Sequence, residues 1–267
     1  MPDALAGVEL KLSRAKAHLV ELQNALAEAL DGDCKFVGEF DRQRKCYVLK
    51  VSHVPTVDPE WSILLGEIFY QLRSALDHLA WQLVEHDGGT PNKQTKFPIL
   101  ESLRDKNGKR MRLRQLMPQV TDSTILTILN ECQPYYWSDT EGHGITGIER
   151  HPLRLLKLLS NIDKHRLLLV VVCVLDIGRM YWGLPQGVAP PSCELNPQPL
   201  KDGDEVARFD FGGQNAPNEF DPHPSLKVVI DEAEVPCIRQ MDVTRCARYV
   251  SDFVEGRVLR RFQPLFP

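Results

Sequence analysis

No apolar run in this sequence is long enough to cross a bilayer as a helix. The longest, residues 167–175, has nine residues, whereas a spanning helix takes about 20. The opening Met1-Pro2-Asp3-Ala4-Leu5 has neither the basic start nor the apolar stretch of a secretory signal. The expectation is therefore a mature chain that begins here, works in the cytoplasm and has no membrane partner. Paired cysteines are missing too. The seven cysteines, at 34, 46, 132, 173, 193, 237 and 246, are odd in number and scattered, with no Cys-x-x-Cys. Reduced thiols are expected, with no structural zinc, no other metal and no cofactor.

Nor does one sign of charge prevail. Lys and Arg total 32 against 36 Asp and Glu, a net charge of −4, which excludes a generally basic coat for duplex DNA. There are no repeats or low-complexity tracts, no G-x-S-x-G, no H-E-x-x-H and no Walker lysine. Gly142-His-Gly144-Ile-Thr-Gly147 matches G-x-G-x-x-G, but it follows no strand and no later βαβ unit supports it, so a flexible loop is the better reading. What remains is ordinary globular usage, 43% hydrophobic and 25% charged, in a chain long enough to bury a sizeable core.

Periodicity orders that material. Val8, Leu12, Ala15, Leu19, Leu22, Leu26 and Ala29 alternate at four and three residues, a heptad seam on a long helix, read as packing within the chain ahead of a dimer seam. Residues 35–40 and 46–51 suggest a hairpin. Asp58-Pro59 opens a second long helix to about Glu85. Thr95-Lys-Phe-Pro-Ile99 reads as an extended connector, because the residue before a proline is pushed away from helical geometry. Helices follow at 123–131 and 152–165, with a loop containing Pro134-Tyr-Tyr-Trp137 between them. Residues 167–175 suit a central strand. A short strand at 179–183, a surface loop at 184–203 with five prolines, and strands at 206–211 and 226–230 come next.

The expected architecture is α+β in a single domain, 1–267. It has an antiparallel helical core at 3–165 with a hairpin near 35–51, a small antiparallel sheet from a strand-rich part at 167–231, and a closing helix at 241–262. Two stretches oppose each other in charge: 101–115 carries +4 and 184–223 carries −5.

The second helix holds the sharpest constellation. Leu64, Ile68, Leu72, Ala75, Leu79 and Leu83 form one apolar stripe, and Phe69, Tyr70, Ala80, Trp81 and Val84 form a second face. Arg73 and Asp77 lie within that second face, four residues apart, and are expected to be part-buried and paired. Glu67, Gln71, Ser74 and His78 are left on a polar strip. The helix at 152–165 brings Arg154, Asn161 and His165 to one flank of its own apolar stripe, ahead of Lys164-His165-Arg166. Cations in a last helical turn also satisfy free carbonyls without any chemistry.

Arg73-Ser-Ala-Leu-Asp-His78 is an Arg-x4-His string on a long helix. It resembles the Arg-x4-6-His motif of the HEPN superfamily, all-helical proteins of which many are metal-independent ribonucleases. The wider pattern, Leu-Arg-Ser-Ala-Leu-Asp-His-Leu, then Phe97-Pro-Ile, then Asn161-Ile-Asp-Lys-His-Arg166, is similar to a set of uncharacterised bacterial proteins across about residues 59–170. The resemblance implies a bacterial endoribonuclease whose partner is RNA, with His78 as general acid or base and Arg73 as the phosphate-binding cation. The candidate catalytic residues are then Arg73, Asp77, His78 and His165, and Asn161, Lys164 and Arg166 contact the substrate.

RNA can be cut by its own 2′-hydroxyl when a base near neutral pH takes the proton and a cation stabilises the growing charge, without a metal. Arg73 and His78 sit about 140° apart on their helix, so convergence needs a second helix or a homodimer formed through the N-terminal heptad helix or the Arg73-His78 helix. Two alternatives stand beside this reading. One is a non-catalytic interaction or structural protein in which Arg73, Asp77 and the 164–166 cluster form an internal ion-pair network. The other is a binder of a small anionic ligand that uses the same cations.

Overall fold

In the first helix, apolar residues spaced for one face meet a helix of the same chain. The computed structural model describes residues 4–32, 35–104, 107–140, 144–177, 191–196, 198–212, 220, 222 and 224–266. In it, α1 (Ala6–Gly32) buries Val8, Leu12, Ala15, Leu19, Leu22 and Leu26, chiefly against α2 (Pro59–His86). The pair is antiparallel: Gly7 lies against His78, and His18 lies against Glu67. The heptad seam is thus occupied inside the chain and is not available to a second subunit.

Asp58 caps α2 by accepting from the Glu60 amide at 2.9 Å, and Pro59 sets the first turn. The predicted stripe from Leu64 to Leu83 is fully buried, as are Phe69, Ala80 and Val84 of the second face, while Tyr70 and Trp81 stay exposed. On the other side of α2 lies α6 (Pro152–Asp163), whose Leu155, Leu156, Leu159 and Ile162 are buried. The two helices approach so closely that the Asp163 carboxylate leaves no room for a Cβ on Gly66. Burial, and then the nearby Glu67, push the Asp163 carboxyl above its ordinary pKa.

The fold is α+β, with the strands distributed over two antiparallel sheets. The hairpin β1 (Lys35–Asp41) and β2 (Cys46–His53) pairs onward with β5 (Glu205–Asp210), and β4 (Ser192–Leu195) closes the order β1-β2-β5-β4. Among the described strands, β3 (Val170–Ile177) pairs with β6 (Pro224–Ile230) alone, Val172 opposite Val228. The expected sheet at 167–231 is therefore divided, and β3 is not central. On its other side its Val172 carbonyl accepts from the Leu200 amide at 3.0 Å. Val170, Val172 and Cys173 are buried, which suits its β-branched run. Partners separated by more than 150 residues, such as Val48 and Arg208, leave no trace in local periodicity.

Three expected loops differ. Pro134-Tyr-Tyr-Trp137 lies in a helix, α4 (Pro134–Thr140), because Pro134 suits a first turn and Trp137 packs edge-on against His151 and Phe253. Gly144–Glu149 is the short helix α5, while residues 142 and 143 of the glycine motif lie outside the described residues. Within the expected loop at 184–203, Ser192–Leu195 forms the edge strand β4. The expected strand at 179–183 also lies outside the described residues. Helix α3 (Ser123–Glu131) has the expected bounds and is capped by Asp122. The closing helix α7 (Val243–Phe253), capped by Asp242, continues through a π-helical stretch, Val254–Leu259, into α8 (Arg260–Phe262).

His151 is a buried polar residue with a clear job. Its Nδ1 accepts from the Leu153 amide at 3.2 Å as the N-cap of α6, and Trp137 and Phe253 enclose the ring. Burial pushes its pKa down to about 3, and protonating Nδ1 would remove the cap acceptor. Because the unfolded chain binds the proton near pH 6.5 and the folded chain does not, stability is full above pH 6.5. It falls toward pH 3 by about 1.4 kcal/mol per unit from this group. Urea unfolding of wild type and His151→Asn between pH 7 and 5 should show the steeper loss in wild type. Parallel slopes would remove His151 as the cause.

Candidate ligand-binding cleft

Surrounding α2 leaves Arg73 and Asp77 half-buried, and charged groups in that position need partners. They find each other, with Arg73 Nη2 2.9 Å and Nε 3.3 Å from the Asp77 carboxylate. They also find one residue of the connector. Arg73 Nη2 donates to the Phe97 carbonyl at 2.9 Å, and the Phe97 amide donates to Asp77 Oδ1 at 2.9 Å. An ion pair one helical turn long thus grips both polar backbone atoms of Phe97, whose ring is buried.

The rest of the connector is held in the same manner. The fully buried Gln133 accepts from the Leu100 amide at 2.9 Å and donates to the Pro98 carbonyl at 3.0 Å. Thr95 donates to Gln119 at 2.9 Å, and Gln119 donates back to the Thr90 carbonyl. Asp87, just past α2, accepts from the backbone and hydroxyl of Thr121 and from the Asp122 amide. The Thr121 amide above all holds its carboxyl below the usual carboxylate range. Residues 90–122 have little regular structure, so these side-chain bonds do the work that a ladder would do elsewhere.

Between this segment and α6 lies a cleft of about 540 Å³ whose floor includes Arg73 and Asp77. The α6 wall presents Lys157, Ser160, Asn161 and Lys164, spaced i, i+3, i+4 and i+7, one face of a helix. Lys157 is paired with Glu101 at 3.2 Å, which Arg154 also meets at 2.8 Å. Burial raises the Glu101 carboxyl, but the bonds from Arg154 and Lys157 outweigh it and hold it below its ordinary value. Lys164 and, at the rim of the opposite wall, Lys96 are exposed and make no ion pair among the described residues. The basic stretch borders the same cleft through Met111 and Gln115. The acidic stretch finds other cations: Glu205 pairs with Arg44 and Arg208.

Of the residues singled out in the sequence, Arg73, Asp77, Asn161 and Lys164 come together on this cleft. The other three lie elsewhere. His78 is exposed on the α1 side of α2, so close to Gly7 that a Cβ there would stand 3.0 Å from its Nδ1, and it makes no hydrogen bond among the described residues. His165 lies beyond the end of α6, exposed. Arg166 is a tie between segments, 2.7 Å from the buried Glu232 and 3.1 Å from Glu234. Glu232 in turn accepts from the Leu169 amide ahead of β3. The expected ion-pair network is therefore two separate centres.

Sequence reasoning passed over Lys157, Lys96 and Gln133. For Lys157 the signal was present in its spacing from Asn161 and Lys164. The flank of Arg154, Asn161 and His165 that the helical wheel picks out does not look into the cleft as a unit, because Arg154 turns to Glu101 and to the Glu149 carbonyl. Among the described residues, no group of three or more His, Cys, Asp or Glu side chains is arranged to hold a metal ion, and no helix is long and apolar enough to cross a membrane. Compared with protein-family models, curated proteins and solved structures, the chain matches none.

The grip on Phe97 is open to a direct check. Asp77→Ala leaves the Phe97 amide without its acceptor and Arg73 without its counter-charge, at an expected cost of about 1–3 kcal/mol. Hydrogen exchange should speed up at Phe97 before it does in the middle of α2. Unchanged exchange at Phe97 would show that the connector is held by its other bonds.

Proposed function

We propose that this protein binds an anionic ligand, with phosphate as the prototype group, in the cleft between α6 and the 94–119 segment. The observation that carries this reading is the cationic wall. Lys164 and Asn161, beside a Lys157 that is paired with Glu101, face the cleft with Lys96 across from them, while among the described lining residues the one carboxylate, Asp77, is already neutralised by Arg73. Lysines hold a phosphate as point charges without a fixed fork, and a concave site with an excess of one sign concentrates the opposite ion. Arg73 serves in this reading as a positioning residue that holds the connector.

A ribonuclease is the second reading, and its support is His78, an exposed imidazole with no partner among the described residues, on the same helix as Arg73. Since the two side chains leave α2 about 140° apart, cleavage by 2′-hydroxyl attack would require a second subunit to complete the site. The non-catalytic reading draws support from Arg73 and Arg166, both engaged in structural ion pairs.

Thermal unfolding in rising inorganic phosphate, against matched chloride, tests the binding reading. A ligand that binds only the folded chain raises the midpoint in proportion to RT ln(1+[L]/Kd). The expected rise should be lost in the Lys96→Ala/Lys164→Ala double variant, and an equal rise in that variant would remove the cleft as the site. The ribonuclease reading stands apart from this. RNA in EDTA should be cut by wild type and spared by His78→Ala, and equal cutting by both, or none by either, sinks it.

A further inference from the structure

We infer that the ligand of this cleft is a small organic anion of about mononucleotide size, with its charge at one end and an apolar or flat body. This rests on the anion-binding reading above and sharpens it. The two walls differ in what they still have to offer. On α6, Asn161 and Lys164 are exposed and unpaired among the described residues. Across the cleft, several polar backbone atoms are already taken. Asp77 and Arg73 hold the Phe97 amide and carbonyl, and Gln133 holds the Leu100 amide and Pro98 carbonyl. The Met111 amide donates to the Leu103 carbonyl and the Leu116 amide to that of Leu113.

Beside the polar side chains of Gln94, Lys96, Gln115 and Gln119, that wall presents the apolar surface of Pro98, Leu100 and Met111. Thioethers are soft and adaptable, suited to packing on an aromatic or irregular apolar body. A sugar-phosphate polymer would gain little from the apolar part of that surface. A molecule with an anionic end toward Lys164 and Asn161, and an apolar side toward Met111, uses both walls at once. The cleft volume of about 540 Å³ lies in the range of small-molecule sites, roughly 300–1,000 Å³.

Phenyl phosphate, inorganic phosphate, phenol and a 12-nucleotide single-stranded RNA, titrated separately into the full chain, test this. Phenyl phosphate should bind at least tenfold more tightly than inorganic phosphate, and phenol should bind weakly. Lys164→Ala should weaken both phosphates, whereas Met111→Ser should weaken phenyl phosphate several-fold more than inorganic phosphate. Equal affinity for the two phosphates overturns the apolar body and leaves the anion site standing. Binding of neither overturns the anion site itself. RNA binding tenfold tighter than phenyl phosphate, with a steep dependence on salt, overturns the small ligand in favour of a polyanion.

Discussion

The cleft depends on the half-buried ion pair between Arg73 and Asp77, because its leftover hydrogen-bonding capacity fixes the segment that forms the opposite wall. A helix covered by α1 on one side and α6 on another has little surface left for a charged pair. In low-dielectric surroundings an unsatisfied guanidinium or carboxylate is costly. The two groups satisfy each other only in part. The remaining Nη2 proton and Oδ1 lone pair fall on the carbonyl and amide of Phe97. Gln133 repeats the arrangement on Pro98 and Leu100, so side-chain bonds tie down this connector where no ladder does.

This arrangement also gives a physical reason for the string that runs from Arg73 through Asp77 to Phe97-Pro-Ile. Arginine offers several donors on one planar group, aspartate at i+4 is in reach of it, and proline after Phe97 keeps the gripped residue extended. Part of the charge elsewhere in the molecule is settled in pairs. The acidic stretch around Glu205 meets Arg44 and Arg208, and Arg166 closes on Glu232 and Glu234. Lys96 and Lys164 make no ion pair among the described residues and lie on the cleft, so a net charge of −4 coexists with a cleft of the opposite sign.

Much of the helical frame was legible. The seam from Val8 to Leu26, the stripe from Leu64 to Leu83, the Asp58-Pro59 start and the bounds of the helix at 123–131 all follow from 3.6-residue periodicity and capping chemistry, which act within a few turns. The part-buried pairing of Arg73 with Asp77 was legible for the same reason. The sheets were not. Val48 meets Arg208, and Val172 meets Val228 rather than the hairpin, and no local pattern names a partner so distant. Trp137 lies in a helix because of what packs on it, His151 and Phe253, and both are remote in sequence.

The sequence by itself determined that α2 would be covered on two faces and would carry a charged pair between them, because side-chain spacing sets which residues share a helix face. Only the tertiary structure decided that the pair would grip Phe97, that Lys157, Asn161 and Lys164 would look into the cleft while His165 would not, and that His78 would turn toward Gly7. The physical reason is that one helix has no outside reference. Its wheel says which residues go together, and the neighbours that dock on it decide which way each face looks.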